Sequence, residues 1–118
     1  MADVEARLER VAAELDCRCE VRQTNDEATL VDWLHDAWGG VDGIILNPAA
    51  FTHYSYAIRD AIAAISTPVV ELHISNIHAR EPFRSRSVIT AVAVGMICGF
   101  GTHGYELAMR ALIERLRH

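Results

Sequence analysis

No lysine occurs anywhere in the chain, and all eleven basic residues are arginine. A Schiff-base mechanism, a pyridoxal phosphate anchor and a Walker-type phosphate loop each need a lysine amine, so those chemistries are excluded. The arginines are scattered rather than gathered, and the net charge is −5, which argues against a nucleic-acid partner. Long apolar runs are missing as well. The longest, Ala91 to Phe100, is far short of the roughly 20 residues a membrane span needs. No basic leader stands before an apolar block at the N-terminus, so the expectation is a soluble, cytoplasmic protein with no membrane partner. Cysteine is scarce: Cys17, Cys19 and Cys98 are odd in number and lack CxxC spacing, which makes them reduced structural thiols rather than zinc or redox ligands. What is present, 118 residues with 51% apolar and 23% charged content, suits one compact domain over 1–118.

Val4, Leu8, Val11, Ala12 and Leu15 recur at helical spacing, so the chain opens on an amphipathic helix of about four turns. Cys17 to Gln23 alternates in strand fashion. Thr24, Asn25 and Asp26 offer caps for a second helix with a buried stripe of Leu30, Trp33, Leu34 and Ala37, ended by Gly39 and Gly40. Gly43 to Leu46 is a short apolar run of the kind covered on both faces, and a helix follows with Tyr54, Ala57, Ile58, Ala61, Ile62 and Ile65 inward. Pro68 to Leu72 predicts the next strand, His73 to Arg86 a long polar loop, and Ala91 to Ile97 a last buried strand. Gly99 and Gly101 make the turn, and Thr102 caps a closing helix built on Leu107, Ala108, Ala111, Leu112 and Leu116. Helices alternating with short buried strands specify an α/β fold, a mostly parallel sheet with helices on both faces. Ligands in such sheets bind at the carboxyl ends of the strands, which directs attention to the segments after Leu46 and Leu72.

Two polar clusters lie there. In Asn47 through His53 an amide, a tight turn and an imidazole meet the start of a helix, where the dipole favours an anionic ligand; turn closure by Asn47 and a surface role for His53 explain the same residues. In the second, Glu71, His73 and Ser75 alternate off a strand end, with His78, Arg80 and Arg84 beyond. Glu71 beside His73 could orient the ring and raise its basicity, as a general acid working near neutral pH requires. Ser75, backbone N–H groups and an arginine could hold a carboxylate. The alternative is a solvated loop with an ordinary salt bridge. The histidines and Glu71 match no standard zinc spacing. Arg59 and Asp60 read as a surface ion pair, and Tyr54, Tyr56 and Tyr105 as helix packing.

The runs Asn47-Pro48-Ala49-Ala50-Phe51-Thr52-His53, Ala57-Ile58-Arg59-Asp60-Ala61 and Glu71 through Arg84 together resemble the type II 3-dehydroquinate dehydratases. Gln23-Thr24-Asn25 with Glu27, Leu30, Asp32 and Trp33, and Gly101 to Tyr105, resemble further segments of that family. The resemblance implies a flavodoxin-like three-layer αβα fold, a homo-dodecamer arranged as a tetramer of trimers, and no metal or organic cofactor. It implies anti elimination of water from 3-dehydroquinate through an enolate, giving 3-dehydroshikimate, in the shikimate pathway of aromatic amino acid biosynthesis or in quinate metabolism. Carried over by motif, His73 is the general acid, Asn47 helps place the departing hydroxyl, and Glu71 supports His73. Ile74 and Ser75 bind the substrate carboxylate, His53 and Arg84 hold ring hydroxyls, and Asp60 reaches a neighbouring subunit's site.

The chain departs from the family pattern in three places. Family members usually have glycine where Ala49 stands and threonine where Tyr54 stands. They also open with a central strand and a lid carrying an arginine and the tyrosine base, ahead of the helix that here begins near Asp3. The expectation is therefore a sheet without that first strand, with a gap of roughly 10 Å between the strands at Cys17 to Gln23 and Gly43 to Leu46, and weakened turnover. A second reading from a different class is a non-catalytic homologue that keeps the anion pocket as a binding or assembly subunit.

Overall fold

In the computed structural model, which describes residues 2–118, helix α1 spans Ala2–Glu14 and buries Val4, Leu8, Val11 and Ala12, the expected stripe. Helix α2, Glu27–Ala37, starts where Asp26 accepts a hydrogen bond from the Thr29 N–H at 3.1 Å. Strand β1 is Ile44–Leu46. Helix α3, Tyr56–Ala64, is capped by Ser55, whose hydroxyl accepts from the Ile58 N–H at 3.1 Å. Strand β2, Val69–His73, is buried at every residue; β3, Gly95–Cys98, and α4, His103–Arg117, complete the chain.

The sheet is parallel in the order β1-β2-β3, so β2 is the middle strand. Because side chains alternate across a strand, each strand serves two cores. Leu46 and Val69 join Leu34 of α2 and Ile58, Ala61 and Ile62 of α3 on one side. Ile45 and Val70 face Ala108 and Leu112 of α4 on the other, beyond which α1 packs through Val4, Leu8 and Val11 against Met109. Burying each large aliphatic side chain contributes about 1.5–3 kcal/mol, so these two layers hold the sheet between them. The closest approach is at Gly104, where a Cβ would lie 2.7 Å from Leu72 Cδ1; this glycine lets α4 sit down on the middle strand. Arg110 ties α4 to α1 at the surface, 2.9 Å from Glu14 and 3.1 Å from Glu106.

Cys17 to Gln23 keeps its alternation, with Cys17, Cys19 and Val21 packed toward α1 and α4, and forms no strand ladder among the described residues, in keeping with the expected gap beside it. Several other expectations are corrected. The last strand begins at Gly95, not Ala91, and is half-exposed. Thr90–Val92 is instead a single 3-10 turn, from which Val92 packs on the α2–α3 core. On α4 the buried stripe is Gly104, Ala108, Met109 and Leu112, whereas Ala111 and Leu116 face solvent. Tyr54 is exposed, since α3 starts only at Tyr56, and Ala57 lies off the buried face of Ile58, Ala61 and Ile62. Thr102 precedes α4 without a side-chain capping bond. Arg59 donates to the Val88 carbonyl at 2.8 Å and makes no pair with Asp60, as expected of adjacent helical residues, which do not face each other.

Candidate active site

At the carboxyl end of the middle strand, Glu71 and His73 are two residues apart and so project from the same face of β2, the face that Val69 turns toward α2 and α3. Both are buried, Glu71 completely. His73 Nε2 lies 2.5 Å from Glu71 Oε2. The same carboxylate oxygen is 2.6 Å from Thr52 Oγ1 and 2.7 Å from Ser87 Oγ, while Oε1 is 2.5 Å from Thr90 Oγ1. Burial pushes the Glu71 carboxyl up, but hydrogen bonds from His73, Thr52, Thr90 and Ser87 more than offset it and hold the group down at about 2. It is therefore a fixed negative charge at neutral pH, within hydrogen-bond distance of the imidazole's Nε2.

The elements that bring these hydroxyls in are short. Thr52 sits in a 3-10 turn, Ala49–His53, that follows β1, and its own carbonyl accepts from the Val88 N–H at 2.8 Å. That bond draws the stretch before β3, with Ser87 and Thr90, against the end of β2.

Asn47, next after β1, is fixed at both ends of its amide. Its Oδ1 accepts from the Ala49 N–H at 3.1 Å, and its Nδ2 donates to Tyr105 Oη at 3.0 Å. The first bond closes an Asx turn and leaves Ala49 in the left-handed region, φ 49°, where glycine is the unstrained choice. His53 donates from Nδ1 to the Arg86 carbonyl at 2.8 Å, since a carbonyl can only accept. Beyond β2, Ile74 and Ser75 are exposed and their N–H groups bond to no backbone acceptor among the described residues. Two successive free N–H groups of that kind suit an anion. Arg84 is half-buried, 2.9 Å from Glu81 Oε2 and with its guanidinium 5.2 Å from the Phe83 ring centre.

A family model, Dehydroquinase class II, matches residues 1–113. The chain belongs to the class II dehydroquinase family. It is 57% identical over 114 residues to a 3-dehydroquinate dehydratase of Desulforudis audaxviator, covering 97% of this chain and 76% of that one. To the 3-dehydroquinate dehydratase of Halalkalibacterium halodurans it is 54% identical over 114 residues, covering 97% of this chain and 79% of the other. The crystal structure of type II dehydroquinase from Propionibacterium acnes superimposes with a TM-score of 0.91 at 44% identity, covering 96% of this chain and 83% of that one. The three-layer α/β arrangement described above is thus a dehydroquinase fold.

In this dehydroquinase chain the structure joins Glu71 to His73 as the alternation predicts, and sets Asn47 on the neighbouring strand end. Asp60 is exposed on α3 with no hydrogen-bond partner among the described residues. Sequence reasoning missed Thr52, Ser87 and Thr90, which reach Glu71 from 16 to 19 residues away. It also assigned Tyr105 to packing alone. The one signal for Thr52 was its place between two site residues in the run Asn47 to His53.

Proposed function

We propose that the protein is a type II 3-dehydroquinate dehydratase, a hydro-lyase that removes water from 3-dehydroquinate in an anti elimination through an enolate, giving 3-dehydroshikimate. The observation that carries this reading, alongside family membership, is the buried pair in which a carboxylate held ionised orients His73. A ring held in this way can protonate the departing C1 hydroxyl, with Asn47 helping to position that group. The N–H groups of Ile74 and Ser75 take the substrate carboxylate, His53 and Arg84 the ring hydroxyls, and Asp60 serves a neighbouring copy. The unit over 1–118 acts as one domain, without metal or organic cofactor. Exposed Phe83, Phe100 and Ile74 support burial in a homo-oligomer, a dodecamer in this reading. The setting is cytoplasmic, in the shikimate pathway or in quinate breakdown.

The test is the absorbance of the conjugated enone product after 3-dehydroquinate is added to the purified chain. A rise abolished by His73→Ala establishes the lyase. No rise, with thermal stabilisation by 3-dehydroquinate retained, overturns it in favour of a binding or assembly subunit.

A further inference from the structure

Ser87 decides the direction of the hydroxyl network around Glu71. Its Oγ accepts from the Ile89 N–H at 3.1 Å and from the Thr90 N–H at 3.2 Å, which occupies both lone pairs of the hydroxyl. Its single proton must therefore point outward, toward Glu71 Oε2 or Thr52 Oγ1, each 2.7 Å away. Thr52 finds no free lone pair on Ser87, so its own proton goes to Glu71 Oε2 at 2.6 Å. Thr90 Oγ1 has a choice between Glu71 Oε1 at 2.5 Å and the Met96 thioether at 3.5 Å. Sulfur is the weaker acceptor, and the carboxylate takes that proton too. Thr52 and Thr90 are thereby donors to Glu71, and Ser87 has no lone pair left with which to accept from it. His73 is the only titratable side chain in contact with the carboxylate among the described residues; Thr52 comes from the 3-10 turn, and Ser87 and Thr90 from the stretch before β3.

The hydrogen bonds donated to Glu71 favour its charged form, and a charged carboxylate can only accept, so the remaining contact is a donation from the ring. We propose that Ser87, Thr52 and Thr90 are positioning residues that lock His73 in its Nε2–H tautomer, leaving Nδ1 as the nitrogen that takes up and delivers the catalytic proton. This rests on the reading of His73 as general acid and names the atom that does the work. Nδ1 makes no hydrogen bond among the described residues, so it is free for a substrate hydroxyl. In the acid step the imidazolium's Nδ1–H bond breaks as its proton moves to the leaving oxygen, which keeps the pair of its breaking bond to carbon while the enolate's pair forms the new C=C bond. The electron pair stays on Nδ1, and the ring returns to the neutral tautomer that Glu71 already holds. The carboxyl near 2 agrees with such a one-way network, since three hydroxyl donors and the ring all favour its charged form.

The experiment is a ¹⁵N–¹H correlation spectrum of the His73 ring in the full labelled chain, with the Glu71 carboxyl followed by ¹³C through an acid titration. The expected result is that the neutral form of the ring carries its proton at Nε2 and leaves Nδ1 bare. Ser87→Ala and Thr52→Val should each raise the Glu71 midpoint by about one pH unit, the worth of one charge-assisted hydrogen bond, and admit the Nδ1–H tautomer. Ser87→Thr should restore both. An Nδ1–H tautomer in the unsubstituted chain overturns the proposal, and so does a Ser87→Ala variant with tautomer and midpoint unmoved. The unsubstituted spectrum decides the matter even if a variant fails to fold. Turnover is scored separately: absence of product from the unsubstituted chain sinks the dehydratase reading, whereas the wrong tautomer sinks this one.

Discussion

Replacing Glu71 with glutamine isolates the contribution of one buried charge. Oε1 meets only Thr90 Oγ1, a hydroxyl that can turn and accept. The amide NH₂ therefore settles there, and the amide oxygen stays toward Thr52, Ser87 and His73, so shape and hydrogen-bond count are kept and only the charge is lost. In the unfolded chain this carboxyl titrates near 4.5, in the folded chain near 2. Between those values the unfolded state holds more protons, so the charge adds stability above 4.5 that is lost as the pH falls toward 2. That difference corresponds to about 3 kcal/mol at neutral pH, an amount comparable to a large share of a small domain's stability. Urea unfolding of the wild-type chain and of Glu71→Gln at a series of pH values is the assay. The gap between the two curves should be about 3 kcal/mol at pH 7 and shrink to about 1.5 kcal/mol at pH 3. Other carboxylates act equally on both proteins and cancel. A gap below about 1 kcal/mol at pH 7, or one that does not narrow on acidification, would refute the reasoning.

Three further changes probe the scaffold. Ala49→Gly should stabilise the chain by about 0.5–1 kcal/mol in urea, because the left-handed φ of 49° strains alanine more than glycine's extra unfolded-state freedom costs; an unchanged midpoint would contradict this. Gly104→Ala should lower the melting temperature despite better helix propensity, since its Cβ meets the fully buried Leu72 at 2.7 Å and overpacking costs about 1–3 kcal/mol. Ser55→Ala removes the cap from the Ile58 N–H and should cost about 1 kcal/mol by thermal melting, while Ser55→Asp should recover most of it.

Local periodicity made much of this fold legible. The stripe of α1, the short apolar run at Ile44–Leu46 and the i, i+2 pairing of Glu71 with His73 follow from spacings of 3.6 and 2 that a side chain carries regardless of what lies opposite. Features that depend on a distant partner did not. Ala91 to Val94 is apolar enough for a strand, yet Val92 is reached by the α2–α3 core through a 3-10 turn. The face of α4 was misjudged because the helix packs on β2 and α1 together, which draws Met109 inward in place of Ala111 and Leu116. In the site, Thr52, Ser87, Thr90 and Tyr105 are small or aromatic polar residues whose sequence context fits loop and helix surface equally well. Only the fold brings them to Glu71 and Asn47.

The dyad's place on the middle strand also constrains how this chain can vary. Val69, Glu71 and His73 turn one way and Val70 and Leu72 the other, with no half-exposed position among them. Deleting or inserting one residue anywhere between Val69 and His73 would invert the strand, turning the carboxylate into the aliphatic layer under α4 and an aliphatic side chain into the ring of hydroxyls. Such indels therefore have no mild phenotype here, in contrast to the same change in the loop from His78 to Arg86. Across relatives, chain-length variation should accumulate on either side of those five residues and be absent within them.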